Sequence, residues 1–211
     1  WDNDESGLSD VAVRLVQGDG EQVQLGIQAD PDGFLDSVVL NTRFTGITLS
    51  AVGTQVSNAD VYSRVRNDTS TGDRVFANFS SATSSVMTTW ATSTRTLKVT
   101  FDSPVSFVSI DAVADTNGDV GRLEAYSVTG VLLDRVTTSV LGDGDVETMS
   151  LERGAADIAY VIARAHYDTE LHLDNIIVGP VTAVMTDALG VFRLKSLPAG
   201  DYQIQMQGRS G

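Results

Sequence analysis

The sequence has 211 residues, of which 28 are acidic and 14 are basic, and its formal net charge is −14. This acidic balance argues against a nucleic-acid or anionic-membrane partner, because binding to phosphate needs clustered lysine and arginine. The sequence contains no cysteine and no run of about 18 apolar residues, which excludes disulfides, zinc–thiolate sites and a transmembrane helix. Threonine, serine, valine and glycine are abundant and helical apolar stripes are nearly absent, so the sequence predicts an all-β fold.

Both ends of the chain carry short strand patterns. Near the start, apolar residues alternate over residues 11–16, and a second strand is predicted to begin at residues 22–25. Near the end, residues 186–197 predict a strand, residues 198–200 interrupt it, and residues 202–206 alternate again. These patterns predict two halves of one small β-sandwich that are far apart in the sequence.

The same two segments resemble a known family. Gly7-Leu-Ser-Asp-Val-Ala-Val-Arg-Leu-Val is similar to the opening of a Cna-B/SdrD-B-type repeat, the prealbumin-like sandwich of bacterial surface proteins. Thr186-Asp-Ala-Leu-Gly-Val-Phe and Leu197-Pro-Ala-Gly-Asp-Tyr are similar to its close. The resemblance implies that residues 1–25 and 181–211 form one discontinuous Cna-B-like domain, with residues 26–180 inserted into it.

The inserted segment carries about ten candidate strands. They are predicted at residues 37–40, 46–51, 75–78, 96–101, 105–112, 122–128, 132–140, 147–151, 158–166 and 171–178. Turn signals at residues 31–33, 102–104, 117–118 and 142–144 separate several of them, and residues 80–95 are predicted as a long loop or an edge strand. This spacing predicts a two-sheet jelly roll.

Residues 44–50, 97–111, 123–133 and 173–179 resemble the lectin-like jelly roll of secreted bacterial proteins. The resemblance implies that the insert binds carbohydrate and that a structural Ca²⁺ joins its first and last strands. On that basis the candidate calcium ligands are Asp30, Asp32 and Asp174. The alternative is that Asp174 pairs with an arginine.

A second candidate calcium loop follows from residue spacing alone. Asp115, Asn117 and Asp119 place an oxygen-bearing side chain at every second position of a glycine-containing turn, and Ca²⁺ takes six to eight oxygen ligands. An ordinary solvated β-turn uses the same residue types, because Asx side chains accept hydrogen bonds from the turn backbone.

Both histidines of the chain lie within residues 166–172. If residues 168–170 form a hairpin loop, His166 faces His172 and Arg164 faces Asp174, since paired residues alternate across a sheet. Two facing imidazoles could share a metal. A surface histidine pair is the interpretation that we prefer.

Sugar contacts require aromatic rings that stack on pyranose faces, together with planar polar groups that bind hydroxyls. The candidate ligand-binding residues are Tyr62, Arg64, Arg66, Asp68 and Trp90. Core packing is the alternative for Tyr62 and Trp90.

The sequence contains no nucleophile-elbow or Ser–His–Asp motif, and its many carboxylates define no glycosidase pair. We therefore predict a non-enzymatic, calcium-stabilised carbohydrate-binding or adhesion module of a bacterial surface or secreted protein. Its expected partners are a polysaccharide or cell-surface glycan and neighbouring domains of a larger protein, without nucleic acid or membrane insertion. A structural spacer without a ligand is the alternative, and a glycan-active enzyme is the less favoured one.

Overall fold

A computed structural model of the protein describes residues 12–17, 25–181, 184–185 and 202–207. The described chain consists of antiparallel strands and one short 3-10 turn at Pro31–Gly33, which confirms the predicted all-β fold class. The strands are β1 (Ala12–Gln17), β2 (Leu25–Ala29), β3 (Ile47–Val52), β4 (Val56–Val65), β5 (Arg74–Ser80), β6 (Ser85–Met87), β7 (Trp90–Ala91), β8 (Thr96–Val105), β9 (Phe107–Ala114), β10 (Gly121–Tyr126), β11 (Leu132–Thr137), β12 (Val146–Glu152), β13 (Ile158–Ala165), β14 (Glu170–Val181), β15 (Val184–Met185) and β16 (Tyr202–Gln207). Among these residues no helix has the length and apolar character needed to span a membrane.

The chain divides into two compact units, residues 1–27 with 178–211 and residues 28–177. In the first unit, β1 lies between β15 and β16 in a three-stranded sheet. β1 pairs antiparallel with β16, so that Val13 faces Met206 and Leu15 faces Ile204. The insertion hypothesis requires this pairing between the two ends of the chain. The predicted strand, turn and motif at residues 186–200 lie outside the described residues, and the assignment to a Cna-B-type repeat stays a prediction.

The second unit contains three sheets. One has five strands in the order β11-β10-β13-β8-β3, and a second has the order β12-β9-β14-β2, with β7 also pairing with β14. A smaller sheet has the order β4-β5-β6. Apolar side chains alternate along these strands and form the core. Examples that are fully buried are Leu49, Val99, Leu123, Val161, Ile110, Met149, Leu171 and Leu173.

Gly121 shows how closely β10 approaches the second sheet. A Cβ atom on Gly121 would lie 2.9 Å from the Ala112 Cβ, 3.1 Å from the Met149 sulfur and 3.2 Å from a Leu171 methyl group. These three neighbours belong to β9, β12 and β14. The missing side chain therefore allows the two sheets to pack face to face at this point.

We expect Gly121→Ala to lower the free energy of unfolding by about 1–3 kcal/mol, because the added methyl group overpacks a dense interior. Thermal unfolding followed by circular dichroism measures the change. Gly154→Ala is the matched control, since a Cβ atom at Gly154 would meet nothing within 4 Å. Equal stability of the two variants would contradict the close approach of the sheets.

Several strand boundaries differ from those that the sequence pattern predicts. Residues 37–40 form no strand and make only an isolated bridge from Val39 to Tyr62. The predicted break at residues 102–104 lies inside β8, and residues 80–95 contain the short strands β6 and β7. The ten-residue β4 was not predicted at all.

The sequence pattern does not predict β4, because polar residues occupy buried positions in the sheet that contains β4, β5 and β6. Ser63 is fully buried, and its hydroxyl donates to the Pro31 carbonyl oxygen at 3.1 Å. On the neighbouring strand, the buried Asn78 amide donates to the carbonyl oxygens of Asn58 and Asp60. The Ser63 hydroxyl and the Asn78 amide N–H groups are hydrogen-bonded, whereas Asn78 Oδ1 has no partner among the described residues. Because these buried positions are polar, the apolar alternation that marks a half-buried strand is missing.

Candidate functional site

The outer face of the five-stranded sheet collects polar and aromatic side chains. Along β10, Leu123 and Ala125 are buried in the core, so the alternating residues between them point outward. Strand pairing aligns the outward residues in two rows across the sheet. The tyrosine row consists of Leu132, Tyr126, Tyr160, Thr100 and Thr48. The charged row consists of Arg135, Glu124, Ile162, Lys98 and Ser50.

Two tyrosines stack at the centre of the tyrosine row. The rings of Tyr126 and Tyr160 are parallel within 7°, and their centroids are 5.0 Å apart. The Lys98 ammonium lies 4.2 Å from the centroid of the Tyr160 ring. Because β10 and β8 flank β13 on opposite sides, Tyr126 and Lys98 approach Tyr160 from opposite sides. The result is an aromatic ladder across three strands, ending in a cation–π contact.

A hydrogen-bonded network fixes the Tyr126 end of this ladder. The Tyr126 hydroxyl donates to Glu124 Oε2 at 3.2 Å, and the Arg164 guanidinium pairs with Glu124 Oε1 at 3.1 Å. Burial, followed by the charge of Glu124, raises the pKa of Tyr126 above its ordinary value. Tyr126 therefore stays protonated and remains a hydrogen-bond donor at neutral pH.

Trp90 does not fit its predicted role as a ligand-stacking ring. Its side chain is fully buried, and its indole N–H donates to the Phe76 carbonyl oxygen at 2.9 Å. Trp90 lies opposite Leu171 where β7 pairs with β14. Neither face of the ring reaches solvent, so Trp90 is a core residue.

The other predicted ligand-binding residues lie on or beside the sheet that contains β4. Tyr62 and Arg64 alternate with buried Val61 and Ser63, which places them on the outward face of β4. The Arg64 guanidinium donates to Asp36 at 2.7 Å and to Ser37 at 2.8 Å. A sugar-binding role for this face stays a prediction.

Arg66 and Asp68 follow β4 in the chain. Arg66 donates to Asp115 Oδ1 at 2.8 Å and lies 3.1 Å from Nε2 of the buried His172. Asp68 is half-buried near Gly144. Their predicted contact with a ligand stays a prediction, although the Arg66 guanidinium is already engaged inside the unit.

The tyrosine row was missed in the sequence because its residues come from strands that are distant in the chain. Tyr126 and Tyr160 each occupy the polar side of an alternating strand, where an aromatic ring is out of place. That local signal was available, but the pairing of β10 with β13 was not.

Of the three acidic residues that the resemblance predicts as calcium ligands, Asp32 and Asp174 contact one loop, residues 70–74, and Asp30 contacts Asp32. Asp32 Oδ1 accepts hydrogen bonds from the backbone N–H groups of Asp73 and Arg74, at 2.9 and 3.0 Å. Asp174 Oδ2 accepts from Ser70 N at 2.9 Å and from Thr71 N at 3.1 Å. Asp30 caps the 3-10 turn by accepting from Asp32 N at 2.9 Å.

Asp174 is a fully buried carboxyl group. Burial raises its pKa to about 6, although backbone and hydroxyl donors from Thr71 and Ser70 favour the ionised form. The predicted pairing of Asp174 with Arg164 is wrong, because Arg164 instead pairs with Glu124. Asp174 is therefore a buried carboxyl group whose contacts are backbone and hydroxyl donors.

Asp115, Asn117 and Asp119 take different partners. Asp119 is buried, and its Oδ2 accepts from the backbone N–H groups of Asp115 and Thr116 at 2.9 and 2.8 Å. The Asn117 side chain accepts from Asp143 N at 3.1 Å. Asp115 pairs with Arg66.

The described residues include no group of three or more histidine, aspartate or glutamate side chains that are placed to hold one metal ion. The oxygens of both predicted calcium sites accept hydrogen bonds from the protein itself. Calcium binding stays a prediction for each site.

The predicted histidine pair does not form. β13 and β14 belong to different sheets, so residues 166–169 connect two sheets and are not a hairpin loop. Tyr167 and Asp168 both have φ near 58°, which turns the chain between the sheets. His166 lies 2.7 Å from the Arg122 guanidinium, whereas His172 is buried against Asp115 at 3.0 Å and the Thr88 carbonyl at 3.1 Å.

No protein-family model matches the chain, and no curated protein sequence matches it. Solved structures with some similarity include the CBM22-1–GH10 modules of Clostridium thermocellum endo-1,4-β-D-xylanase 10B complexed with xylohexaose. That match has 12% identity, covers 79% of this chain and 30% of that one, and has a TM-score of 0.41.

Two other solved structures give weaker matches. The enzymatically active domain of bacteriophage CBA120 tailspike protein 4 has 10% identity and a TM-score of 0.30, with coverages of 66% and 19%. A family 11 carbohydrate-binding module of a C. thermocellum cellulosomal cellulase has 9% identity and a TM-score of 0.27, with coverages of 77% and 96%. The chain thus spans less than a third of the first two structures. At TM-scores below 0.5 these similarities identify no family.

Proposed function

We propose that residues 28–177 form a non-catalytic module that binds carbohydrate on the outer face of the five-stranded sheet. The observation that carries the proposal is the stacked pair of Tyr126 and Tyr160 on this face. Aromatic rings supply apolar surface for the C–H faces of sugars.

Polar groups beside the two rings supply the directional contacts that a sugar needs. Thr100 and Thr48 continue the tyrosine row, and Lys98 and Ser50 lie in the adjacent row. Their hydroxyl and ammonium groups can donate to or accept from sugar hydroxyls. The arrangement of a few polar groups around an apolar platform is typical of small-molecule recognition.

Glu124 is the carboxylate nearest the rings in the strand register, and its contacts support binding over hydrolysis. Arg164 and Tyr126 both hold Glu124, which favours a role in positioning the Tyr126 ring. A glycosidase uses a pair of carboxylates that flank the scissile bond. We propose that Glu124 positions the binding surface and takes no part in proton transfer.

We further propose that the module belongs to a bacterial surface or secreted protein and acts in adhesion. Residues 1–27 and 178–211 would then link it to neighbouring domains through two connections, which domain insertion tolerates well. Binding to each site would be weak, and repeated copies of the module would raise the overall avidity.

The first test is alanine substitution of the stacked rings. We expect Tyr126→Ala and Tyr160→Ala each to weaken binding to a polysaccharide about tenfold, or about 1.4 kcal/mol, because one stacking platform is lost. Affinity gel electrophoresis against a panel of plant and bacterial polysaccharides measures the change, and circular dichroism confirms that the variants are folded.

Tyr62→Ala is the matched variant, because Tyr62 is a partly exposed tyrosine on a different sheet of the same unit. Unchanged affinity in Tyr62→Ala would assign the ligand to the tyrosine row. Weakened binding in Tyr62→Ala, with unchanged binding in Tyr126→Ala and Tyr160→Ala, would assign the ligand to the outward face of β4, which the sequence predicted. A wild-type protein that binds no polysaccharide would favour the structural spacer, and release of sugar from a bound polymer would favour the enzyme.

A further inference from the structure

The outer face of the five-stranded sheet has the opposite charge balance to the whole chain. Acidic residues outnumber basic ones by 28 to 14 in the sequence. On this face, however, four strand residues are basic, and the acidic ones are Glu124 and Asp102. We define the basic face as Lys98, Arg122, Arg135 and Arg164.

Three cations of the basic face have no acidic partner among the described residues. Arg164 pairs with Glu124, but no ion pair there involves Lys98, Arg122 or Arg135. Lys98 lies over the Tyr160 ring. Arg122 donates only to neutral acceptors, the Thr137 hydroxyl at 3.1 Å and His166 Nε2 at 2.7 Å. Arg135 is exposed on the edge strand β11.

The strand register gives the spacing of these charges. Arg135 on β11 and Lys98 on β8 lie in the charged row, three strand spacings apart across β10 and β13. At about 4.8 Å for each spacing, the two residues are about 14 Å apart. Arg122 lies two residues from Glu124 on β10, about 7 Å along the strand. The cations therefore lie in two rows on one side of the stacked tyrosines, the charged row and the row of Arg122 and Arg164, and do not form one compact cluster.

The electrostatic effect of the face is visible at His166. Burial lowers the pKa of His166, and the neighbouring charges of Arg122 and Arg164 lower it further. The positive potential of the face therefore extends to its edge. Arg122 and Arg164 lie directly opposite each other on β10 and β13, and like charges in that position repel. An anionic ligand would relieve that repulsion.

We propose that the ligand of this face is an anionic polysaccharide, with carboxylate or sulfate groups, in place of a neutral glucan. The inference rests on the proposed carbohydrate binding at the tyrosine row. The stacked rings would contact a sugar ring, and Lys98, Arg122 and Arg135 would pair with acid groups on neighbouring sugars. Arginine suits this role because its planar fork donates two parallel hydrogen bonds to a carboxylate or sulfate.

The overall charge of −14 favours a polysaccharide over a nucleic acid. Duplex DNA carries about one charge per 1.7 Å, and an acidic chain of this kind would repel such a polymer. A uronic-acid polymer carries at most a single carboxylate per sugar. With screening over about 8 Å at physiological salt, local cations can hold such a sparse polyanion despite acidic surfaces elsewhere.

The test compares matched polymers on the full chain. Polygalacturonate and its methyl ester differ in the carboxylate charge, and dextran sulfate and dextran differ in the sulfate charge. We expect at least one anionic polymer to bind about tenfold more tightly than its neutral partner, with affinity falling as NaCl is added. The two pairs also distinguish carboxylate from sulfate recognition.

Charge-removing variants locate the site. We expect the double variant Lys98→Gln, Arg135→Gln to remove most of the preference for the anionic polymer. Arg43→Gln is the matched control, because Arg43 is an exposed arginine on a loop whose guanidinium donates only to the Val39 carbonyl oxygen. Circular dichroism spectra that match the wild type would show that both variants are folded.

The possible outcomes separate this inference from the proposed function. Equal binding of charged and neutral polymers, with sensitivity to Tyr160→Ala, would overturn the anionic ligand and keep the carbohydrate-binding proposal. Binding of no polymer would overturn both. Duplex DNA that binds as tightly as polygalacturonate, with the same sensitivity to the double variant, would identify a nucleic-acid site and overturn the inference. An equal loss of affinity in Arg43→Gln would also overturn it.

Discussion

Trp90→Ala should destabilise the second unit by about 3–5 kcal/mol, the usual loss when a large buried aromatic side chain is truncated. Trp90 is fully buried and lies opposite Leu171 in the sheet that contains β14. Its N–H donates to the Phe76 carbonyl oxygen in the sheet that contains β5, so the side chain joins two sheets. Truncation would leave both a cavity and an unsatisfied acceptor.

Chemical denaturation followed by circular dichroism measures this loss. A chain of two compact units need not unfold in one transition. In a Trp1→Phe parent, Trp90 fluorescence identifies which circular dichroism transition belongs to the second unit, and the shift of that transition in Trp90→Ala gives the loss. Tyr167→Ala is the control, because that ring is 74% exposed and its removal opens no cavity. Unchanged stability of Trp90→Ala, together with lost polysaccharide binding, would restore the ligand role that the sequence predicted.

The strands of the second unit were largely predictable because apolar residues alternate along them. β3, β8 to β10 and β12 to β14 all place apolar residues at every second position over most of their length. A period of two identifies a strand with one face in the core. β4 and its neighbour β5 show the limit of this rule, since buried Ser63 and Asn78 break the apolar pattern and are stabilised by hydrogen bonds.

The candidate site could not be predicted from local pattern because it depends on sheet order. β10 and β13 are adjacent in space but separated in sequence by β11 and β12. Only that pairing brings Tyr126 against Tyr160. The same pairing sets the distances between the cations of the basic face. The failed histidine pair has the same cause, since the loop after β13 crosses to another sheet.

The contacts of Asp32 and Asp174 with residues 70–74 were also inaccessible to spacing alone. A family resemblance predicts Asp30, Asp32 and Asp174 as ligands, but it does not indicate the loop that Asp32 and Asp174 contact. Its backbone N–H groups take the carboxylate oxygens that a metal would otherwise use. The negative charges are balanced either by these protein donors or by Ca²⁺. The dependence of stability on pH and on Ca²⁺, measured with and without Asp174, distinguishes the two.

Asp174 should make the second unit less stable at neutral pH than at acidic pH, relative to Asp174→Asn. Burial raises the pKa of this carboxyl group from 3.8 to about 6 in the folded protein. A raised pKa means that the folded state binds the proton more tightly than the unfolded state does. The stabilising contribution is therefore complete below about pH 4 and is lost as the pH rises through about 6. The difference between the wild type and Asp174→Asn should change by about 3 kcal/mol over this range.

Calcium would reverse this trend, which makes the same pair of proteins a test of the metal. A cation bound to Asp174 favours the ionised carboxylate, so Ca²⁺ should stabilise the wild type above about pH 6 and leave Asp174→Asn unchanged. Calcium at a thousand times its Kd adds about 4 kcal/mol to the folded state, which is several degrees in Tm. Asp102→Asn is the control, because Asp102 is an exposed carboxylate of the same unit and belongs to neither candidate calcium site. If Tm in EDTA equals Tm in Ca²⁺ and the wild type is favoured at acidic pH, the loop donors alone hold Asp174. A Tm that falls on chelation only where Asp174 is present would assign the metal to this carboxylate.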